Sequence, residues 1–190
     1  QKAWRDHFSG QSFWKPSKAG GKAYLGVRNS EDALTWNVFR TLQLTGTDGL
    51  RILSEAAALA AMETILFWGC DVEGRSDIQQ LLSILLRTLD GQLKGTMTEP
   101  DLVLVTAEEV AFVECKLNLN GTQSPWKAQR MSGGKESGAA RRMKSYIRAG
   151  FTELEGVVEW EEIYQLLRQY VYATRLAGLL GRRPVVIPLV

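Results

Sequence analysis

The sequence predicts an α/β fold from three observations. Helical stripes run through the first half of the chain and again from Trp160 to Ala177. Two short β-rich runs, Asp101–Val105 and Val110–Lys116, stand back to back. A last apolar run, Pro184 to Val190, reads as a further strand. With 190 residues, 45% of them hydrophobic, the chain is long enough for one domain with a real core.

Residues 1–29 hold Gly, Lys and Trp with weak periodicity and read as a basic N-terminal arm; the single domain spans 30–190. A helix is expected from Ser30, a good N-cap, with Glu31 and Asp32 in the positive-dipole first turn. Leu34, Val38 and Leu42 mark its expected core stripe. Ala, Leu and Glu between Gly49 and Trp68 predict a second helix. A third runs from Ser76 to Leu89, although Ile84–Leu89 fits a strand equally well. The stretch 48–90 is therefore read as a helical insertion before the hairpin. That hairpin joins Asp101–Val105 to Val110–Lys116 through Thr106–Glu109. Residues 117–149 read as a basic loop followed by a basic helix over Glu136–Ala149. The helix from Trp160 to Ala177 repeats Ile163, Leu166, Leu167, Tyr170, Val171 and Thr174, and Gly178 and Gly181 stop it. The missing initiator Met predicts processing or excision from a longer chain, and the abrupt apolar end predicts continuation past Val190.

Composition removes several function classes. No uncharged apolar run reaches the roughly 18 residues of a membrane span, and the N-terminus is too polar for a signal peptide. Two cysteines, Cys70 and Cys115, make no disulfide framework, so a reduced, cytoplasmic setting is expected. The single histidine, His7, lies in the polar arm, which argues against Ser-His-Asp and histidine–zinc chemistry. Charge is segregated: Glu31 to Glu114 contains fourteen acidic and five basic residues, whereas Gly121 to Arg148 contains seven basic and one acidic. Such asymmetry predicts one surface built for a polyanion.

The hairpin concentrates the chemistry. If Val105 pairs with Val110, Asp101 lies opposite Glu114, and cross-strand partners have Cβ atoms about 4.5–5.5 Å apart on one face. Lys116, two residues after Glu114, shares that face. Two close carboxylates repel, and burial raises the cost. Lys116 compensates one charge; a divalent ion with hard oxygen ligands would compensate the rest. An acid–lysine cluster can equally be solvated surface.

Thr98-Glu-Pro-Asp101 followed by Glu114-Cys-Lys116 resembles the PD-(D/E)XK nuclease superfamily, whose motif joins Pro-Asp on one strand to Glu-x-Lys on the next. Over roughly residues 30–190, the resemblance implies a restriction-endonuclease-like mixed β-sheet flanked by helices. It also implies hydrolysis of DNA phosphodiesters with Mg²⁺ or Mn²⁺. Asp101, Glu114 and the Cys115 carbonyl would be metal ligands and Lys116 the catalytic lysine. The superfamily often adds a glutamate on its first helix, for which Glu31 is the candidate along the Leu34–Val38 stripe; it is equally an ordinary helix-start acid. Members also carry Gln-x-x-x-Tyr on a later helix; here Tyr164-Gln-Leu-Leu-Arg-Gln-Tyr170 departs from that spacing, leaving Gln165 as catalytic candidate.

Gln165, Arg168, Gln169 and Tyr172 share a helix face that either lines the site and holds phosphate or is plain solvated surface. Lys127, Arg130, Lys135, Arg141, Arg142, Lys144 and Arg148 are the expected nucleic-acid contacts, with Trp126 as a stacking surface. The expected partner is DNA, with RNA open, no membrane, and a homodimer compatible with two-strand cutting. The Cys115 thiol is expected to pack on the opposite sheet face rather than act as a nucleophile. The rival reading is a catalytically silent nucleic-acid-binding or assembly module of the same fold.

Overall fold

A computed structural model describes residues 31–74, 77–89, 100–115 and 164–189. Its elements, in chain order, are α1 (Glu31–Leu44), α2 (Thr47–Ala57), β1 (Met62–Phe67), β2 (Cys70–Asp71), α3 (Ile78–Leu89), β3 (Leu102–Thr106), β4 (Glu109–Cys115), α4 (Tyr164–Leu180) and β5 (Arg183–Leu189). The arm, Ser76, the basic loop and helix of 117–149, and residues 160–163 lie outside the described residues.

The five strands form one sheet in the order β2-β1-β3-β4-β5. β1 pairs antiparallel with both β2 and β3, β3 antiparallel with β4, and β4 parallel with β5. The α/β architecture is thus a mixed five-stranded sheet flanked by helices. Alternation along β3 and β4 divides the core in two. Val103, Val105, Val110 and Phe112 pack against α3 and α4 through Leu82, Leu86, Leu167 and Val171. Leu102, Leu104, Ala111 and Val113 pack against Phe39 of α1 and Leu53 of α2 on the other face. Both faces being covered explains why β3 and β4 read as nearly unbroken apolar runs.

The stretch 48–90 is not a helical insertion, because it supplies β1 and β2 to the sheet. The second helix ends at Ala57 rather than Trp68: Ala58 takes a left-handed φ of 53°, while Ala58 N–H and Leu59 N–H donate to Glu55 O and Ser54 O. Those two bonds are a Schellman cap, usually built on glycine. β1 then leads into a two-residue turn, Trp68-Gly69, with φ of 49° and 79°. Positive φ at both central residues is the type I′ requirement, which Trp68 meets at a steric cost. The stripe assigned to α1 is rotated in part: Leu34 and Val38 are exposed, whereas Thr35 and Phe39 are buried and Leu42 packs, partly buried, against the core. Ile84–Leu89 is helix, within α3.

α4 carries the chain from β4 back to the parallel β5. It runs through Gly178 and stops at Gly181, whose φ is 66°. Arg182 N–H donates to Ala177 O (2.8 Å) and Gly181 N–H to Gly178 O (3.4 Å), a second Schellman cap. Arg183 N–H then donates to Glu108 O (2.7 Å). The odd-numbered residues of β5 therefore turn their amides toward β4, and Pro184, Val186 and Pro188 face outward from the sheet edge. Proline on an outward position removes no ladder bond.

Candidate functional site

The hairpin has the register its pattern predicts: Val105 pairs with Val110 and Leu102 with Val113. One step further, Asp101 stands opposite Glu114 at the open end of the two central strands. Asp101 is half-buried and held from both sides. Its carbonyl accepts from Trp68 N–H (3.1 Å), and its Oδ2 accepts from Cys115 N–H (2.7 Å). The strained Trp68 turn, braced by stacking of Trp68 on Trp36 at 6.0 Å, therefore fixes one flank of this aspartate.

Glu114 is 2% exposed and lies on the α4 face, in phase with Val110 and Phe112. Two consecutive residues of α4 meet it. Gln169 Nε2 donates to Glu114 Oε2 (2.5 Å), and Arg168 Nη2 lies 3.9 Å from that oxygen. One turn along, Tyr172 stacks on Phe112 with centroids 6.3 Å apart, a contact worth about 0.5–1.5 kcal/mol beyond its buried area. Phe112–Tyr172 and Glu114–Gln169 run in opposite directions along the two elements, so α4 is antiparallel to β4. The stacked pair sets the helix depth that brings Gln169 to Glu114.

Gln169 is fully buried, yet its Oε1 has no hydrogen-bond partner among the described residues. A buried acceptor without a donor costs about 1–3 kcal/mol. Among the described residues no cluster of three or more His, Cys, Asp or Glu side chains is gathered. The donors at this end of the sheet are instead two carboxylates and one amide oxygen. All are hard oxygens, and Mg²⁺ takes only one or two carboxylates and keeps several waters. The donor chemistry fits such an ion.

No known family, no curated protein and no solved structure matches the chain.

Arg168 and Gln169, expected to meet phosphate, turn toward the sheet and Glu114. Their helix face is not solvated surface, since Gln169 and Tyr172 are both fully buried. Gln165 sits in the first turn of α4 and Glu31 opens α1; the side chains of Glu31, Asp32 and Gln165 lie outside the described ones. Leu34 and Val38, the positions that Glu31 is aligned with, face solvent. The Cys115 thiol is buried on the α1–α2 face, away from Glu114. Lys116 and the basic residues Lys127, Arg130, Lys135, Arg141, Arg142, Lys144 and Arg148 lie outside the described residues.

Sequence pattern did not single out Glu109, at the other end of β4. It is 3% exposed and accepts from Thr106 Oγ1 (2.6 Å), Ala60 N–H (3.1 Å) and Arg183 Nη2 (2.6 Å). The Thr106 hydroxyl, then Arg183, hold its carboxyl below the usual glutamate range. Thus β4 carries a buried carboxylate toward each end. Glu109 has three donors, from the α2–β1 connection, β3 and β5, whereas Glu114 meets Gln169 and Arg168 of α4, next to the donorless Gln169 Oε1.

Proposed function

We propose that the chain is a metal-dependent nuclease with a restriction-endonuclease-like fold. It hydrolyses DNA phosphodiesters with Mg²⁺ or Mn²⁺ at Asp101, Glu114 and Lys116. The supporting observation is Glu114: a buried carboxylate at the end of a central strand, opposite Asp101 and next to the donorless Gln169 Oε1. Burial of that kind is expensive unless cations share it, and Arg168 sets one positive charge against the two carboxylates. The divalent ion would lower the pKa of a water and stabilise negative charge on the phosphate.

The chain's own groups do the rest. Asp101 and Glu114 supply carboxylate oxygens, and the Cys115 carbonyl is a further donor. Gln169 Nε2 fixes the Glu114 rotamer, so the carboxylate does not reorganise when a cation arrives. Lys116 orients or deprotonates the attacking water, or neutralises the developing charge. The basic residues from Lys127 to Arg148 bind the DNA backbone, with affinity that falls as salt rises. Among the described residues, no helix is long and apolar enough to cross a membrane.

The test is incubation of labelled single- and double-stranded DNA with Mg²⁺ and the wild-type protein, Asp101→Ala or Lys116→Ala. Cleavage by the wild type alone is expected. Equal cleavage by all three means a contaminant. Salt-sensitive binding without any cleavage means the silent binding module.

A further inference from the structure

Arg168 stands 3.9 Å from Glu114 Oε2, on the helix residue next to the one that hydrogen-bonds the same oxygen. Its side chain is 12% exposed and that of Glu114 3%, so the pair is shielded from solvent. We propose that Arg168 is a placeholder cation: it balances Glu114 in the metal-free protein and yields that position when a divalent ion binds. The inference rests on the nuclease reading of the site and adds a positioning residue that governs how tightly metal is held.

The physical case is one of charge. A carboxylate this buried cannot stand alone, since removing one partner of a buried pair leaves an uncompensated charge. A guanidinium and a divalent ion on the same oxygen would repel strongly, because the local dielectric is well below that of water. Metal entry therefore drives Arg168 from Glu114. Gln169 need not move: its Nε2 keeps its bond to Glu114, and its Oε1 is an acceptor awaiting a donor or cation. Arginine suits this role because it stays charged at every working pH and its long stem lets the head swing without moving α4. The displaced guanidinium remains beside the site, where a phosphate oxygen is the natural next partner.

The proposal is tested by calorimetric titration of Mn²⁺ into the wild type, Arg168→Gln, Arg168→Lys and Glu114→Gln, with thermal unfolding of each in the presence and absence of Mn²⁺. Arg168→Gln should bind Mn²⁺ about tenfold more tightly, from loss of one nearby unit charge. It should also melt lower than the wild type without metal and gain more from saturating Mn²⁺, as linkage requires. Arg168→Lys keeps the charge and should stay within about threefold of the wild type. A merely structural Arg168 would lower the melting temperature without tightening metal binding. Equal or weaker Mn²⁺ binding by Arg168→Gln overturns the placeholder role while leaving the metal site intact. If wild type and Glu114→Gln bind Mn²⁺ equally, or neither binds it, the metal-site reading fails as well. Should Arg168→Gln not fold, the wild type decides: its Arg168 Nε–H NMR resonance, assigned with Arg168→Lys, should shift on Mg²⁺ titration. An unmoved resonance overturns the proposal.

Discussion

Replacing Glu109 with alanine removes an acceptor on which three separate segments of the chain converge. Ala60 N–H and the Thr106 hydroxyl each lose their carboxylate partner. A buried donor left unmet costs about 1–3 kcal/mol, although Thr106 keeps a weak alternative in Glu109 O at 3.4 Å. Arg183 is 67% exposed, so its ion pair is screened and adds only about 0–1 kcal/mol. The expected loss is about 2–4 kcal/mol, a large share of the roughly 5–15 kcal/mol that holds a domain folded. Urea unfolding followed by tryptophan fluorescence measures it, provided the m-value is unchanged. Glu109→Gln keeps one acceptor oxygen and should lose about half as much, and Arg183→Ala about 0–1 kcal/mol. Mn²⁺ affinity should not change, because Glu109 and Glu114 occupy opposite ends of β4. The pH dependence follows from the same contacts. The folded-state pKa lies below the ordinary 4.5, so the contribution is present above that value and is lost as pH falls through the folded pKa. Glu109→Gln should flatten this acid limb. A Glu109→Ala protein within about 0.5 kcal/mol of the wild type would refute the network as a stabilising device.

Other outcomes follow from the same structure. Ala58→Gly should raise stability by about 0.5–1 kcal/mol in thermal unfolding, because the left-handed cap position strains any Cβ. Gly49→Ala should do the reverse of what helix propensity suggests. An added Cβ would run into Leu42 O and Thr45 Oγ1, and overpacking of this kind costs about 1–3 kcal/mol in urea unfolding. Glu114→Leu alone should lose about 3–5 kcal/mol, and adding Arg168→Met should recover most of it in a double-mutant cycle, since the hydrophobic pair leaves no buried charge unpaired.

What was legible in the sequence was what depends on local alternation. The β3–β4 pairing, and with it the juxtaposition of Asp101 and Glu114, follows from two apolar runs around a short polar turn. The β1–β2 hairpin was hidden because its boundaries lack the usual punctuation. Ala58, the best helix former, terminates α2 in a glycine conformation, and Trp68 occupies a turn position usually given to Asn or Gly. The phase of α1 is not legible in the sequence because apolar Leu34 and Val38 are exposed while Thr35 is buried, which periodicity alone does not separate. Among the described side chains Gln169 is seen at Glu114; its place depends on how far α4 slides along β4, which the Phe112–Tyr172 stack sets across a long sequence separation.

The prolines of β5 bear on how the protein behaves when crowded. A bare sheet edge is a template onto which another chain can zip, seeding aggregates or strand-swapped dimers. Among the described residues β5 is the outer strand, and its outward positions read Pro184, Val186, Pro188, so along that stretch the Val186 amide alone points away from β4. Carbonyls without matching amides cannot nucleate a continuous ladder. Concentrating the protein should therefore produce no cross-β growth from this side, whereas Pro184→Val/Pro188→Val would restore the outward donors and make β5 sticky.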